Sequence, residues 1–441
     1  MGTKITPKIK SVLARDKKVM FTTTRTPYPF VADRGEGDIV YDVSGNKFID
    51  FSSFVSVYNL GVNANLSIRN AAKKQIDKLM HAAFTDFYAE LPVTFAEKLV
   101  KKFPKGFGRV FFSNSGTEAN EAAIKFARLF TKRQYTLSFY NAFHGRTLGS
   151  LSLTASRSSQ RHYFGPFPNT IHVPYAYCYR CPFGKEYPSC GMACLDYIKD
   201  YALSKEVHPT EVSAIFIEPM QGEGGYIAPP VEFIKGVREI ADDNGMLLVS
   251  DEVQSGYMRT GKFLAMDNFG VEADIYTMAK AIAGGLPMGA TITRSSLGDI
   301  PAGSHANTFG GNLVAVAAAN ASIDYLNANK ASISAEIRRK SSIMFKRLNA
   351  MKESYAIIGD VRGLGMMIGI ELVRSRETKE PAVTERDNIL KSCFNNGLIL
   401  LPAGISTIRI IPPLTVSTDN LEKGLGILED AIKEANSSLF R

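Results

Sequence analysis

The chain has 441 residues and a formal net charge of +9, with 45% hydrophobic and 22% charged residues. That length corresponds to roughly two or three domains, the composition is that of an ordinary globular protein, and no apolar run reaches the ~18 residues that read as a spanning helix. Lys and Arg are spread along the sequence rather than clustered, so the positive balance reads as a solvated surface and argues against nucleic acid as a partner.

The first segment, MGTKITPKIKSVLARDKK, lacks the apolar stretch of a signal peptide, so the cytoplasm is the expected compartment and no membrane is expected. Gly2 and Thr6 match a short myristoylation pattern, one that often arises by chance. GDIVYDVSGNKFIDFSS then reads as a hairpin, with alternating apolar residues on either side of the turn-forming Ser44-Gly45-Asn46. Helical periodicity follows in LSIRNAAKKQIDKLMHAA and LPVTFAEKLVKKF.

From about residue 108 strand and helix alternate, with strand candidates RVFFSNS, YTLSFYNA, SAIFIEP, MLLVSDEV and ATITRS and helices such as EANEAAIKFARLFTK between them. This is the pattern of an α/β fold, a mostly parallel sheet covered on both faces, with ligands at the carboxyl ends of the strands. After about residue 325 a long amphipathic stretch precedes GDVRGLGMMIGIELV and GLILLPAGISTIRIIPPLT, which read as a smaller α+β unit. The expected division is therefore 1–66 and 326–441 for a small domain and 67–325 for a large one. Gly363, Gly365 and Gly369 superficially resemble a dinucleotide loop, but strand residues follow them, so they read as a glycine-bearing strand.

Chemistry-bearing residues gather at the strand exits. Asp251 ends the apolar run Met246–Ser250, and Lys280 ends Ile275–Ala279. A lysine delivered to a dry sheet edge loses its proton readily. A lysine with an aspartate facing a cationic ring nitrogen is the pair that pyridoxal phosphate (PLP) needs. Asn114-Ser115-Gly116-Thr117-Glu118, between a strand and a helix, taken alone reads more readily as a helix cap than as a phosphate seat, and the two are not exclusive. Phe143 is placed to stack on a flat ring and Arg146 to clamp a carboxylate, although a core Phe and a surface Arg fit the same text. Glu218 and Glu223 flank a glycine-rich stretch, where carboxylates more often anchor arginines than catalyse.

Cys178-x2-Cys181-x8-Cys190-x3-Cys194 holds four of the five cysteines. The spacing is tighter than a usual zinc ribbon and leaves a structural metal, disulfides or free thiols open; no catalytic metal is expected there. The six histidines show no paired spacing, which leaves a histidine-based metal hydrolase without support.

Taken together, SNSGTEANEAAIKFAR, NAFHGRTLGSLSLT, IEPMQGEGGY, LLVSDEVQSGYMRTGKF, MAKAIAGGLPMGA, NTFGGNLVAVAAA and IRIIPPLT resemble the class III aminotransferases, the ω-amino-acid group that includes 4-aminobutyrate and ornithine aminotransferases. The likeness runs from about residue 30 to 435. It implies fold-type I, PLP as cofactor and a homodimer with active sites between subunits. Lys280 matches the Schiff-base lysine, Asp251 the partner of the pyridine nitrogen and Gln254 the residue near the ring hydroxyl. Ser115, Gly116 and Thr117 match the phosphate loop, Phe143 the stacked aromatic, and Thr308 the phosphate contact from the other subunit. Arg409 matches the arginine for the α-carboxylate of a 2-oxo acid, Glu223 the glutamate that pairs with it when the other substrate is bound, and Arg146 the arginine for a distal carboxylate. One departure is visible: Gly61-Val62-Asn63-Ala64-Asn65 stands where the family often has Gly-His-x-His-Pro.

The resemblance implies a two-stage transfer of an amino group from an ω-amino acid such as 4-aminobutyrate to a 2-oxo acid, with 2-oxoglutarate expected. The nearest rival is a PLP-dependent amino-acid racemase on the same scaffold. A rival of another class is a thiol-metal module that binds nucleic acid.

Overall fold

The computed structural model describes residues 3–23, 26–63 and 65–439; Gly2 of the acylation pattern and Ala64 of the family departure lie outside them. The chain divides into two compact units, Met1–Leu66 with Ala331–Arg441, and Ser67–Lys330.

The first unit begins with helix Pro7–Val19, followed by strands β1 (Ala32–Glu36), β2 (Ile39–Asp42) and β3 (Lys47–Asp50), joined antiparallel in that order. The β2–β3 turn forms because the Asp42 carboxylate accepts from the amides of Ser44 (2.8 Å) and Asn46 (3.0 Å), while Gly45 takes a left-handed φ of 80°. Beyond β3, Ser53 to Ser56 all have positive φ, between 44° and 65°, a conformation that costs an L-residue energy and tends to gather near functional sites.

The second unit carries seven strands: β4 (Phe107–Ser113), β5 (Tyr135–Phe139), β6 (Thr170–Val173), β7 (Val212–Ile217), β8 (Leu247–Asp251), β9 (Ile275–Met278) and β10 (Gly289–Arg294). They form one sheet in the order β4-β10-β9-β8-β7-β5-β6. From β9 to β6 all neighbours are parallel, and β10 runs antiparallel to both β9 and β4. Every residue of β7 and β9 is buried, which explains why these strands read as continuous apolar runs rather than alternating ones.

Helix Gly116–Thr131 buries Ala119, Ala122, Ala123, Ile124, Phe126 and Ala127, the helical spacing of one face. Part of that face shares a core with Phe216, Val249 and Ile275 of the central strands. Truncating the fully buried Phe216 to Ala would cost about 3–5 kcal/mol. Small residues on the helix let its backbone approach the sheet closely, and that fixes the helix N-terminus beside the strand exits.

The first unit resumes with helix Lys330–Ser354, most of which lies in it, and with a second sheet of β11 (Ile358–Leu364), β12 (Met367–Leu372), β14 (Leu401–Ala403) and β15 (Thr407–Ile410), ordered β11-β12-β15-β14 and antiparallel throughout. Between β12 and β14, β13 (Leu398–Ile399) joins the first sheet parallel to β3. Gly363 lies in β11, Gly365 in the β11–β12 turn and Gly369 in β12, so the glycine series belongs to a strand hairpin.

Candidate active site

Parallel strands end together, and the register pairs Asp251, the last residue of β8, with Thr277 near the end of β9. Lys280 follows two residues beyond β9 in a left-handed conformation (φ 48°), half-buried. Glu252, the next residue after Asp251, is buried in a separate dry site. There Ala265 N (2.7 Å) and Met266 N (3.0 Å) donate to it, and burial pushes its carboxyl up to about 7.

The Asp251 carboxylate is buried and heavily engaged. Its Oδ2 accepts from Asn120 Nδ2 at 2.7 Å and faces His144 Nδ1 at 2.8 Å, and its Oδ1 accepts from Val253 N at 3.0 Å. Asn120 comes from helix Gly116–Thr131. Its amide also donates to His144 O (2.7 Å), and its carbonyl accepts from Thr277 Oγ1 (2.8 Å). With Asp251 accepting, the His144 ring carries its proton on Nδ1; Nε2 has no hydrogen-bond partner and the ring lies edge-on to Phe216. A carboxylate fixed in this way holds its charge at one point with no reorganisation.

At the other end of the site, Ser115 caps helix Gly116–Thr131: its Oγ accepts from Glu118 N (3.3 Å) while Glu118 Oε2 accepts from Asn114 N (2.7 Å). This reciprocal cap leaves the helix N-terminus aimed at the strand exits. A Cβ on Gly116 would stand 2.8 Å from Val253 Cγ1, so only glycine permits the approach of this turn to the segment after Asp251. Thr117 Oγ1 accepts from Arg146 N (3.0 Å), lies 3.1 Å from Thr147 Oγ1 and bonds Ser150 Oγ, tying the turn at the start of helix Gly116–Thr131 to the segment after β5.

Phe143 is half-buried, and the exposed Arg146 places its guanidinium carbon 5.3 Å from the Phe143 ring centroid. Glu218 is buried and accepts from Phe143 N (2.8 Å) and Gly222 N (2.9 Å), which locks two strand-exit loops together; burial pushes its carboxyl up to about 7. Gly222 lets Gln254 lie against it, since a Cβ there would meet Gln254 Oε1 at 2.0 Å. Glu223, nearly buried, stands 4.0 Å from Arg157 Nη2, a neighbour that the sequence reading passed over. Thr308 is exposed, in a loop held by Asn307 Nδ2 donating to Phe112 O (3.0 Å). Arg409 belongs to the other unit, where it is buried on β15 opposite Gly369 and Leu401.

The second unit thus brings Asp251, Lys280, Gln254, Ser115, Gly116, Thr117, Phe143 and Arg146 to the carboxyl edge of one sheet or the loops leaving it. The sequence signature of the class-III aminotransferases matches residues 20–432. The chain belongs to this family. It is 40% identical to the leucine/methionine racemase of Thermococcus litoralis, with 96% of each chain covered. It is 35% identical to a probable 4-aminobutyrate aminotransferase of Bacillus subtilis, over 91% of this chain and 93% of that one. The taurine:2-oxoglutarate aminotransferase of Bifidobacterium kashiwanohense, solved with PLP and glutamate, superposes with a TM-score of 0.90 at 27% identity, covering 99% of this chain and 100% of that one.

The class III aminotransferase is a PLP-dependent enzyme of fold-type I. The residues fit that cofactor: a buried, pre-set carboxylate for a cationic ring nitrogen, a capped helix N-terminus with a glycine where a phosphate must approach, and a lysine on the neighbouring strand exit. No helix among the described residues is long and apolar enough to cross a membrane.

Proposed function

We propose that this aminotransferase takes the amino group from the terminal carbon of an ω-amino acid, 4-aminobutyrate being the type, and delivers it to a 2-oxo acid, with 2-oxoglutarate the acceptor. The observation that supports this most directly is Arg146, an exposed guanidinium set over the Phe143 ring, beside the phosphate turn. That is the place for a cation that holds a substrate carboxylate remote from the reacting carbon.

PLP, when bound, supplies an electron sink for the carbon that bears the amine. Lys280 holds the cofactor through its amine and, once displaced, is the base that moves a proton from that carbon. Asp251, kept in place by Asn120 and His144, retains the proton on the ring nitrogen. Ser115, Gly116 and Thr117 would seat the phosphate, Phe143 would stack on the ring, and Gln254 would serve the ring oxygen. Thr308 of the partner subunit completes the phosphate site in a cytoplasmic homodimer. Arg409 takes the α-carboxylate of the oxo acid, and Glu223 is the carboxylate that offsets an arginine charge when the donor has none to match.

A second reading is amino-acid racemisation, in which the proton returns to the same carbon; it is favoured by the 40% identity to the leucine/methionine racemase. Two incubations of the holoenzyme separate them. Transfer predicts glutamate from 4-aminobutyrate and 2-oxoglutarate, with a terminal aldehyde formed in equal amount. Racemisation predicts the D-form from a single L-amino acid with no oxo acid added and no net deamination. The latter result without the former would overturn the proposed transfer.

A further inference from the structure

The four clustered cysteines take no part in the chemistry above, yet they come together. Cys178, Cys181, Cys190 and Cys194 all line one cavity of about 20 Å³, with Phe183 and Lys185 among the other walls. That volume holds roughly one water-sized sphere. All four are free thiols, and they lie in the same compact unit. From Pro174 to Met192, between β6 and helix Ala193–Tyr197, the only regular element is the short turn Cys178–Arg180. Long irregular segments are uncommon in compact domains and need something to hold them.

Local turns present the sulfurs in pairs. Cys178 and Cys181 flank that short turn, and Gly184 N donates to Cys181 O (3.1 Å) with Gly184 left-handed. Cys190 N donates to Glu186 O (2.8 Å), and Gly191 and Met192 are both left-handed before Cys194 opens the next helix. Two closely spaced cysteine pairs on tight turns are the arrangement of four-thiolate structural zinc sites. We propose that Cys178, Cys181, Cys190 and Cys194 bind one structural Zn²⁺ that fastens this segment.

Among the described residues no three His, Cys, Asp or Glu side chains are already grouped to hold an ion. The sulfurs must therefore close on the cavity as the ion enters, each thiol passing its proton to solvent as its S–Zn bond forms. The thiols share one electrostatic neighbourhood: burial, with contributions from Cys178 and Cys190, holds the Cys194 thiol up at about 12, and burial, then Cys190 and Cys181, raise Cys178. Four thiolates on one Zn²⁺ leave two negative charges, and Lys185 on the cavity wall offsets part of them.

The site is independent of the PLP reading. The test is elemental analysis of untagged full-length holoprotein from zinc-supplemented cells, with cobalt substitution and X-ray absorption. About one zinc per chain, Zn–S distances of ~2.3 Å and thiolate-to-cobalt charge-transfer bands are expected. The C393S variant keeps the zinc; the C178S/C181S double variant loses at least nine-tenths of it while retaining its PLP. Zinc below one-tenth per chain, disulfides among the four cysteines, or iron in place of zinc would each overturn the proposal. If the double variant does not fold, the wild-type stoichiometry and Zn–S distances decide the matter alone.

Discussion

His144 Nδ1 stands 2.8 Å from Asp251 Oδ2, and both side chains are buried. Helix Gly116–Thr131 reaches the same carboxylate through Asn120 at 2.7 Å. The aspartate is thus held by side chains from two other parts of the sequence and by Val253 N, and its charge is fixed at the place proposed for the ring nitrogen. Losing a hydrogen bond to a charged group costs about 1.5–3 kcal/mol, or roughly 10–100-fold in rate. His144→Ala is accordingly expected to lower kcat by that factor with KM little changed, and to move the pH dependence of the cofactor's visible absorption. A wild-type kcat with an unshifted spectrum would mean that His144 only fills space.

Gly145 has φ 143°, and a Cβ there would fall 2.1 Å from Thr117 Oγ1 and 2.3 Å from Ser150 Oγ. The hydroxyl cluster that ties the phosphate turn to the segment after β5 leaves no room. Gly145→Ala should weaken PLP retention at least tenfold, measured by dialysis against phosphate buffer, and destabilise the fold by about 1–3 kcal/mol. Undiminished retention would show that Thr117 is not a phosphate contact.

The sheet, and the strand exits that carry the candidate residues, were legible because their signals are local. A buried parallel strand writes itself as an apolar run, and its exit is marked by the first charge, as at Asp251 and Lys280. Asn120 and His144 were not singled out, because their purpose is set by partners 131 and 107 residues from them, for which neither has a local pattern. β6, Thr-Ile-His-Val, alternates polar and apolar residues and ends in no charge, so it carries neither mark. The Arg157 neighbour of Glu223 was hidden for the same reason as Asn120, being 4.0 Å away in space and far along the chain. Glu252, adjacent to Asp251, carries no local mark of its partners either: the amides that hold its buried carboxyl, Ala265 and Met266, lie 13 and 14 residues further on.

Glu252 titrates at about 7 in the fold against an ordinary 4.5, chiefly because burial disfavours its charge. Between these values the folded chain holds a proton that the unfolded chain has released, so this group's contribution to stability falls as pH rises through the window. Glu252→Gln removes it. The variant's unfolding free energy, from urea titrations at pH 5 and pH 8, should fall less steeply than wild type, the slopes differing by up to about 1.4 kcal/mol per pH unit. Glu218, raised to about 7 as well, supplies a slope of the same sign that persists in this variant. Equal slopes in the two proteins would contradict the buried, proton-holding state of Glu252.

Arg146 carries the assignment of the donor. Arg146→Ala should cost 4-aminobutyrate about 2–4 kcal/mol of transition-state binding, roughly 30- to 1000-fold in kcat/KM, because a charge-assisted, two-pronged contact is lost. A monoamine without a distal carboxylate should be nearly unaffected. Unchanged turnover of 4-aminobutyrate would remove the ω-amino-acid reading and leave the racemase reading standing.

The central claim is the covalent attachment of PLP to Lys280. Reducing the holoenzyme with borohydride, digesting it and mapping the peptides by mass should place a phosphopyridoxyl group on the lysine of MAKAIAGG, with Lys280→Ala colourless and unlabelled. A label on another lysine, or none on a protein that binds PLP, would contradict the account.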